Sequence, residues 1–398
     1  MKDLLILYLL LGPIAWINFV WLLSNGRAHM RFSRRENAGK KITRWPRITI
    51  LIPAKDEGER IRDCIESALN QEYPDFQVIA IDDRSTDRTG AVMDELAAKH
   101  PNLSVVHIRD GELPSGWTGK CNALQRGVQS ADGEFLLFID SDVIIAPQAL
   151  RMTMLRVGTD IDLFSLLPRI ETHSFFETLI IPVAGAALAG MFTVSLTNRD
   201  KSTTAFANGQ FMFFRRSAYE KIGGHALVKN QYCEDIEFAR HMKPLQYKVR
   251  IAISNELASV RMYSSLSAIF RGWSRIFFAA SRAKTWRMNL GIAFLLLFYL
   301  SVYPIFVWTL FHLASNDSLR WIWFAAASVH LLLVHVLGAL VYRWSGNAAR
   351  FTLGLPLAAA MLIIIWLKAI RLCHTGNITW RGTVYRPLLE TNEARIHL

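Results

Sequence analysis

Four stretches of this chain are apolar for the length of a membrane crossing, and no other feature limits its architecture as much. They are residues 4–23, 291–313, 321–342 and 351–370; a helix needs about 20 residues to cross the hydrocarbon core. The first reads as an anchor, because its apolar run is too long for a secretion signal and no small-residue cleavage site comes after it. Next in the chain are Arg27, Arg31, Arg34, Arg35, Lys40, Lys41, Arg44 and Arg47, opposed only by Glu36. Basic residues flanking a span stay on the cytoplasmic side, so the segment after the first helix is expected to face the cytoplasm. The formal net charge of +12 asks for an anionic partner, and part of it is explained by this topology and by anionic lipid. The chain is 52% hydrophobic and 20% charged, against about 45–50% and about 25% in ordinary soluble domains. A disordered, collagen-like or disulfide-scaffold protein is excluded. Cys64, Cys121, Cys233 and Cys373 are scattered without a zinc or disulfide spacing, which fits reduced thiols facing a cytoplasm.

A fifth apolar stretch, 175–197, is long enough to span but carries Glu177, Pro182, Gly185 and Gly190. Crossing there would put the two halves of one site on opposite sides of the membrane, so helices lying in the interface are expected. The region 262–288 interleaves Phe270, Trp273, Ile276, Phe277, Phe278 and Trp286 with Arg271, Arg275, Arg282, Lys284 and Arg287, a pattern suited to helices half sunk among headgroups. Between 47 and 147 the period changes. Apolar runs 48–52, 76–81, 103–108 and 134–139 read as strands. Between them lie a helix with Ile61, Ile65 and Leu69 on one face, one over 86–99 with Ser85 or Thr86 as its cap, and one over 120–129. Alternation of this kind implies a mostly parallel α/β sheet, whose ligands bind beyond the carboxyl ends of the strands. Asp82-Asp83 and Asp140-Ser141-Asp142 both stand at such ends. Asp140 and Asp142, one residue apart, can both offer oxygens to one Mg²⁺ or Mn²⁺, leaving positions open for diphosphate.

These residues resemble a known family. Ile52-Pro53-Ala54-Lys55-Asp56-Glu57, the run from Asp82-Asp83 to Thr89, and Asp140-Ser141-Asp142 look like the nucleotide-sugar half of a family 2 glycosyltransferase with the GT-A fold. Cys233-Glu234-Asp235 is similar to that family's Glu-Asp motif, Asn208-Gly209-Gln210 through Arg215-Arg216 to its acceptor-side segment, and Gly272-Trp273-Ser274-Arg275 stands where QxxRW is often found. The similarity covers about 48–281. With Gly116-Trp117-Thr118-Gly119-Lys120 and the tail 378–382 it is nearest in look to membrane transferases acting on lipids, of the ceramide glucosyltransferase, hopanoid and carotenoid kinds. Asp56 replaces the usual Asn, Arg271 replaces the Gln, and the Trp–Arg order is inverted, so the resemblance does not say which of Arg271, Trp273 and Arg275 meets the diphosphate.

The resemblance implies an inverting transfer of one sugar from a nucleoside-diphosphate sugar, a UDP-sugar first, to a lipid hydroxyl or carboxyl. Asp235 is the expected general base, oriented by Glu234. Pro53, Ala54, Glu57, Asp82, Asp83, Lys120 and Asp140, with Arg271, Trp273 and Arg275, are the expected donor contacts; Gly209, Gln210 and Trp273 face the acceptor; Asp140 and Asp142 hold the metal. Plainer roles stand beside these: an acidic pair complementing a helix dipole at 234–235, a solvated first-turn Lys120, and a merely packed Trp117. The expected order is an anchor at 1–25, a basic linker at 26–46, a GT-A domain at 47–260 with the insert 175–197, amphipathic helices at 261–290, spans at 291–371 and a tail at 372–398. That is a multi-pass membrane protein with its catalytic domain in the cytoplasm, at the inner membrane in a bacterium. Span parity stays open, since four crossings put the tail outside whereas Arg371, Arg381 and Arg386 favour the cytoplasmic face. Competing readings are a processive polysaccharide synthase, for which four spans are few, and a silent nucleotide-sugar scaffold, which has no need of a base. No nucleic-acid motif is present, and the basic residues cluster beside the apolar spans.

Overall fold

Alternation along each strand decides which of two cores its side chains enter. Along β1 (Ile48–Ala54), Ile48, Ile50, Ile52 and Ala54 enter one core and Leu51 the other. In β2 (Phe76–Asp83), Val78 and Ala80 oppose Ile79 and Ile81; in β4 (Phe135–Ile139), Phe135, Leu137 and Ile139 oppose Leu136 and Phe138. Both faces are covered, as strands of a parallel sheet require. The first core is closed by Ile61, Cys64 and Ile65 of the helix Ile61–Leu69 and by Val92, Met93 and Leu96 of Thr89–Ala97. The second is closed by Cys121, Ala123 and Leu124 of Gly119–Gln129 and by Phe238, Ala239 and Met242 of Glu234–Met242. Each such large apolar side chain stabilises the fold by about 1.5–3 kcal/mol.

With β3 (Leu103–Ile108), β5 (Val143–Ile145), β6 (Leu163–Ile170), β7 (Phe211–Arg215) and β8 (Val249–Val260), the eight-stranded order is β3-β2-β1-β4-β7-β6-β8-β5. β3, β2, β1 and β4 are parallel; β7 is antiparallel to β4 and β6; β6 and β8 are parallel; β5 is an antiparallel edge. The chain moves outward from β1 to β3 and returns on the other side of β1 as β4. Such a reversal opens a crevice beyond the carboxyl ends of β1 and β4, where open α/β sheets bind ligands. The helix expected over 86–99 begins at Thr89, because Ser85 and Thr86 are bonded elsewhere and Asp87 Oδ1 accepts from Thr89 N at 2.9 Å.

This computed structural model describes residues 2–28, 31–32, 44–281, 284–375, 378–380 and 383–385. Arg34, Arg35, Glu36, Lys40, Lys41, Arg282, Arg381, Gly382 and Arg386, and the side chain of Arg27, lie outside the described residues. Two compact units form: Met30–Glu171 with Phe192–Met262 carries the sheet, while Met1–His29, Thr172–Met191 and Tyr263–Gly376 build a helical unit. Among the described residues, four helices of the latter are long and apolar enough to cross a membrane: Lys2–Trp21, Thr285–His312, Arg320–Trp344 and Ala349–Thr375. Leu4, Trp21, Leu297, Phe311 and Leu332 are exposed along them, as a lipid-facing surface requires. The second span starts at Thr285, so the amphipathic region expected to reach 290 ends earlier, with the helix Leu266–Ala280.

The fifth apolar stretch is one helix, Phe175–Phe192, followed by a 3₁₀ turn, Val194–Asn198. It buries Leu179, Ile180, Ile181 and Ala184, and Tyr342 Oη donates to Leu179 O at 2.9 Å. Glu177 is fully buried, accepting from His173 N and Ser174 Oγ at its own amino end, which is how a charge is tolerated there. The stretch is thus packed within the helical unit up to Met191 rather than inserted in the catalytic domain. The span histidines serve as hydrogen-bonded pins: His330 meets Tyr8 Oη at 3.0 Å and Phe298 O at 3.1 Å, and His335 meets Leu331 O at 2.9 Å.

Candidate active site

The crevice is built from turns that lace to one another. Asp56, at φ +53°, follows β1 in a left-handed turn, which short acidic side chains tolerate. Its Oδ1 accepts from Thr86 N at 2.8 Å and from Thr86 Oγ1 at 3.2 Å, while its N donates to Ser85 Oγ at 3.0 Å. Glu57 N donates to Thr89 Oγ1 and Gly58 N to Asp87 Oδ2. The charged Asp56 therefore ties the turn after β1 to the turn after β2, work in which only its acceptor oxygen is used.

At the end of β2 both carboxylates are buried and engaged. Asp82 Oδ1 accepts from Ser85 N at 3.2 Å and Oδ2 lies 3.2 Å from His107 Nδ1. Arg84, at φ +59°, clasps Asp83 through Nε at 2.8 Å and Nη2 at 3.1 Å. Pro53 and Ala54 form the buried end of β1 alongside, Ala54 in register with Asp82.

A second charged group assembles from three distant segments. Gly119–Gln129 starts beneath the crevice, its Thr118 hydroxyl accepting from Cys121 N at 3.2 Å as the N-cap. That places Lys120 in the first turn, its Nζ 2.6 Å from Asp140 Oδ1 and 2.7 Å from Glu234 Oε1. Burial works against the ammonium, but Asp140 and Glu234 together hold it well above the usual lysine range. Lys120 is thus not a solvated first-turn lysine. Trp117 packs against the second core, the plainer of its two roles.

Asp235 opens the helix Glu234–Met242. Its Oδ1 accepts from Ile236 N at 2.8 Å and its Oδ2 from Gly209 N at 2.6 Å. Burial first, then the neighbouring Glu234 charge, push the carboxyl up to about 7; Lys120 and the two N–H groups pull the other way. Gly209 is central: a methyl there would stand 3.2 Å from Lys120 Nζ, 3.3 Å from Asp235 Oδ2 and 3.4 Å from Glu234 Oε1. Gln210 is buried beside it.

Asp142 shares the donor side with Asp140. Burial, then the charges of Asp140 and Glu57, raise its carboxyl to about 7. Crowded carboxylates of this kind are relieved by a cation, and hard oxygen donors suit Mg²⁺ or Mn²⁺. Among the described residues no three His, Cys, Asp or Glu side chains converge as a metal cage. Two carboxylates, Asp140 and Asp142, are the oxygen donors this part of the crevice offers.

Arg215 and Arg216 stand at the other end of the sheet. β7 is antiparallel to β4, pairing Arg215 with Phe135 and Phe211 with Ile139. Arg215 lies 4.8 Å over the Phe135 ring and Arg216 pairs with Glu220 at 2.7 Å, so both support the fold. Arg271, Trp273 and Arg275 lie on Leu266–Ala280 in the helical unit; Arg271 donates to Ser267 Oγ, and Trp273 is buried with Phe277 at 5.8 Å. Sequence reading missed His107 and Ser165, and quoted Arg84 and Asn208 only as members of motifs, with no role of their own. Only Asn208 left a signal, the Asn-Gly pair of a turn.

Residues 14–392 match the sequence pattern of glycosyl transferase family 21. A 4,4'-diaponeurosporenoate glycosyltransferase of Staphylococcus aureus (strain MRSA252) is 27% identical over 251 residues, 61% of this chain and 64% of that protein. A probable glycosyltransferase, YdaM, of Bacillus subtilis (strain 168) is 25% identical over 249 residues, 60% of this chain and 57% of that one. The chain thus spans less than two thirds of the length of these curated relatives. The mannosyltransferase PcManGT from Pyrobaculum calidifontis, solved in complex with GDP-Man and Mn²⁺, superposes loosely, with TM-score 0.45 and 16% identity over 90% of this chain and 97% of its own. The matching family is numbered 21, where the motifs resembled family 2. A sheet that ends in acidic turns, four apolar helices and a pattern match over nearly the whole sequence agree: the chain belongs to glycosyl transferase family 21.

Proposed function

We propose that this family 21 glycosyltransferase moves one sugar from a nucleoside-diphosphate sugar, a UDP-sugar first, to a hydroxyl or carboxyl of a lipid, inverting the anomeric carbon. The observation that carries the reading is Asp235: a buried carboxyl raised to about 7, held by Gly209 N and Ile236 N, with Gly209 packed closely against it and against Lys120 and Glu234. A hydroxyl is a poor nucleophile until its proton is taken, and a base titrating near neutrality takes it most effectively. The mechanism needs one such base and no second nucleophile, which is what makes inversion the expected outcome.

Donor binding rests on the crevice beyond β1, β2 and β4. Asp82 and Asp83 hold the nucleoside end, with Pro53, Ala54 and Glu57 lining the β1 turn. Lys120 orients Asp140 and Glu234 at once, so donor and acceptor sides keep a fixed separation. Asp140 and Asp142 are the residues that would hold a divalent cation; such an ion neutralises charge gathering on the leaving diphosphate.

A lipid acceptor is supported by the four apolar helices and by the relative named as a 4,4'-diaponeurosporenoate glycosyltransferase. The cytoplasmic orientation rests on the basic residues just past the first span. The test is transfer in detergent extract, screening UDP- and GDP-sugars with Mg²⁺ or Mn²⁺ against a total lipid pool, with Asp235→Asn alongside. A glycosylated lipid formed by the wild type and absent with the variant is expected. A long water-soluble polymer would instead identify a synthase, and transfer by Asp235→Asn at the wild-type rate would remove Asp235 from the base role.

A further inference from the structure

The donor held to Asp235 Oδ2 is a backbone N–H, so no side chain at 209 fixes its direction. What fixes it is the turn around it. Asn208 O accepts from Phe211 N at 3.2 Å, closing a four-residue turn with Gly209 and Gln210 at its centre. Within it Asn208 Oδ1 accepts from Gln210 N at 3.2 Å, and Nδ2 donates to Gln210 Oε1 at 3.1 Å. The turn runs into β7 at Phe211, and a side chain of β6 fastens its other end. Ser165, fully buried on β6, accepts from Asn208 N at 2.8 Å and donates to Asn208 O at 3.2 Å through the same Oγ. One hydroxyl thereby occupies both backbone groups of the residue whose carbonyl carbon bears the Gly209 N–H.

We propose that Ser165 is a positioning residue for the transfer reaction: it locks Asn208 so that Gly209 N–H stays aimed at the carboxylate of Asp235. The inference rests on Asp235 being the base. β6 is flanked by β7 and β8, so the anchor does not shift when ligands enter the crevice. The charged and titratable groups facing Asp235 are Glu234 and Cys233 at its own helix start and Lys120 and Cys121 from Gly119–Gln129. None of them touches Ser165. A loosened turn removes a donor to the ionised form of Asp235 without altering those charges, and loss of such a donor raises a carboxyl's pKa.

The experiment measures kcat, donor KM and the kcat–pH profile of the full chain in detergent for wild type, Ser165→Ala, Ser165→Thr and Asp235→Asn, with thermal melts of each. Ser165→Ala is expected to lower kcat about tenfold, the cost of one buried hydrogen bond misdirected. Its donor KM should change less than about twofold, and its acid limb should move up by about half a unit to one unit. Ser165→Thr, which keeps the hydroxyl, is expected to restore the limb. A folded Ser165→Ala variant with wild-type kcat and limb overturns the proposal, and so does a folded Ser165→Thr variant whose limb stays where Ser165→Ala puts it. Should Ser165→Ala fail to melt cooperatively, Ser165→Cys decides in its place: a folded Cys variant with an unshifted limb overturns the proposal, and a limb moved up supports it. Asp235→Asn separates the two ideas. Turnover lost there with Ser165→Ala unaffected refutes only the positioning role, whereas turnover kept there refutes the base and the positioning role together.

Discussion

Two acidic pairs, Asp82-Asp83 and Glu234-Asp235, read alike in the sequence and are surrounded quite differently in the fold. At the end of β2, Asp82 and Asp83 are matched by a serine N–H, a histidine and a bidentate arginine. Among the described residues Asp235 accepts from two backbone N–H groups, and the Glu234 charge beside it adds to burial in raising its carboxyl to about 7. A carboxylate held by such partners is fixed in direction, and its remaining lone pairs are what a nucleoside could use. One left short of them in a buried site keeps its proton affinity and can work as a base. The surroundings, brought from segments far apart in the chain, make the difference.

The largest effects should come from exchanging the two pairs' properties. Asp235→Asn is expected to lower turnover by about 10²–10⁴-fold while donor binding changes little. Asp82→Asn should weaken donor binding about tenfold and spare turnover at saturating donor. Isothermal titration with the nucleotide, run beside turnover, checks both, and a variant that loses binding and turnover together would erase the distinction. For the wild type, turnover should fall as pH drops below about 7, since protonation of Asp235 removes the base.

Lys120 links Asp140, on the proposed donor side, to Glu234, beside the proposed base. Lys120→Met leaves Glu234 buried without its ammonium, and breaking a buried pair this way costs about 3–5 kcal/mol. With a third of the Lys120 side chain exposed, solvent screening reduces that to about 1–3 kcal/mol. A lowered melting point is expected, with turnover down about 10²-fold because Asp235 also loses its opposing charge. Unchanged melting would show that the 2.6 and 2.7 Å contacts contribute little. Gly209→Ala sharpens the acceptor side of the comparison. Its methyl, at 3.2–3.4 Å from Lys120, Asp235 and Glu234, narrows the space in front of the base, so acceptor KM should rise about tenfold with donor KM unchanged.

Much of this arrangement was legible in the residues. The β-branched runs and the helical spacing of Ile61, Ile65 and Leu69 gave the parallel half of the sheet, because burial on both faces imposes a pattern one strand at a time. The acidic clusters stood at strand ends for the same reason. Illegible were properties that depend on what a distant segment contributes. Ser165 is one more small residue in a strand until Asn208 folds onto it. The stretch 175–192 carries the same apolar signal whether it lies in an interface or against other helices. Arg215 and Arg216 resembled acceptor residues until the antiparallel register of β7 put them at the far end of β4 from Asp140.

The smallest effect tests whether the imidazole beside Asp82 is charged. His107 Nδ1 lies 3.2 Å from Asp82 and Nε2 lies 2.9 Å from Asp94. Its pKa is raised, chiefly by the Asp94 hydrogen bond against opposing burial, with Asp82 adding to it. A histidine whose folded pKa exceeds its unfolded value of about 6.5 contributes stability that is fully present below that value. The contribution is lost as pH rises through the folded pKa. With 43% of the side chain exposed, solvent limits the effect to a few tenths of a kcal/mol, roughly what surface pairs give. Wild type should therefore exceed His107→Gln in stability at pH 6 and lose that margin by pH 8.5, as measured by denaturant unfolding at the two pH values. A margin that grows with pH would mean that the imidazole is held neutral and that Asp82 has no cation there. The two acidic pairs would then differ less than their partners indicate.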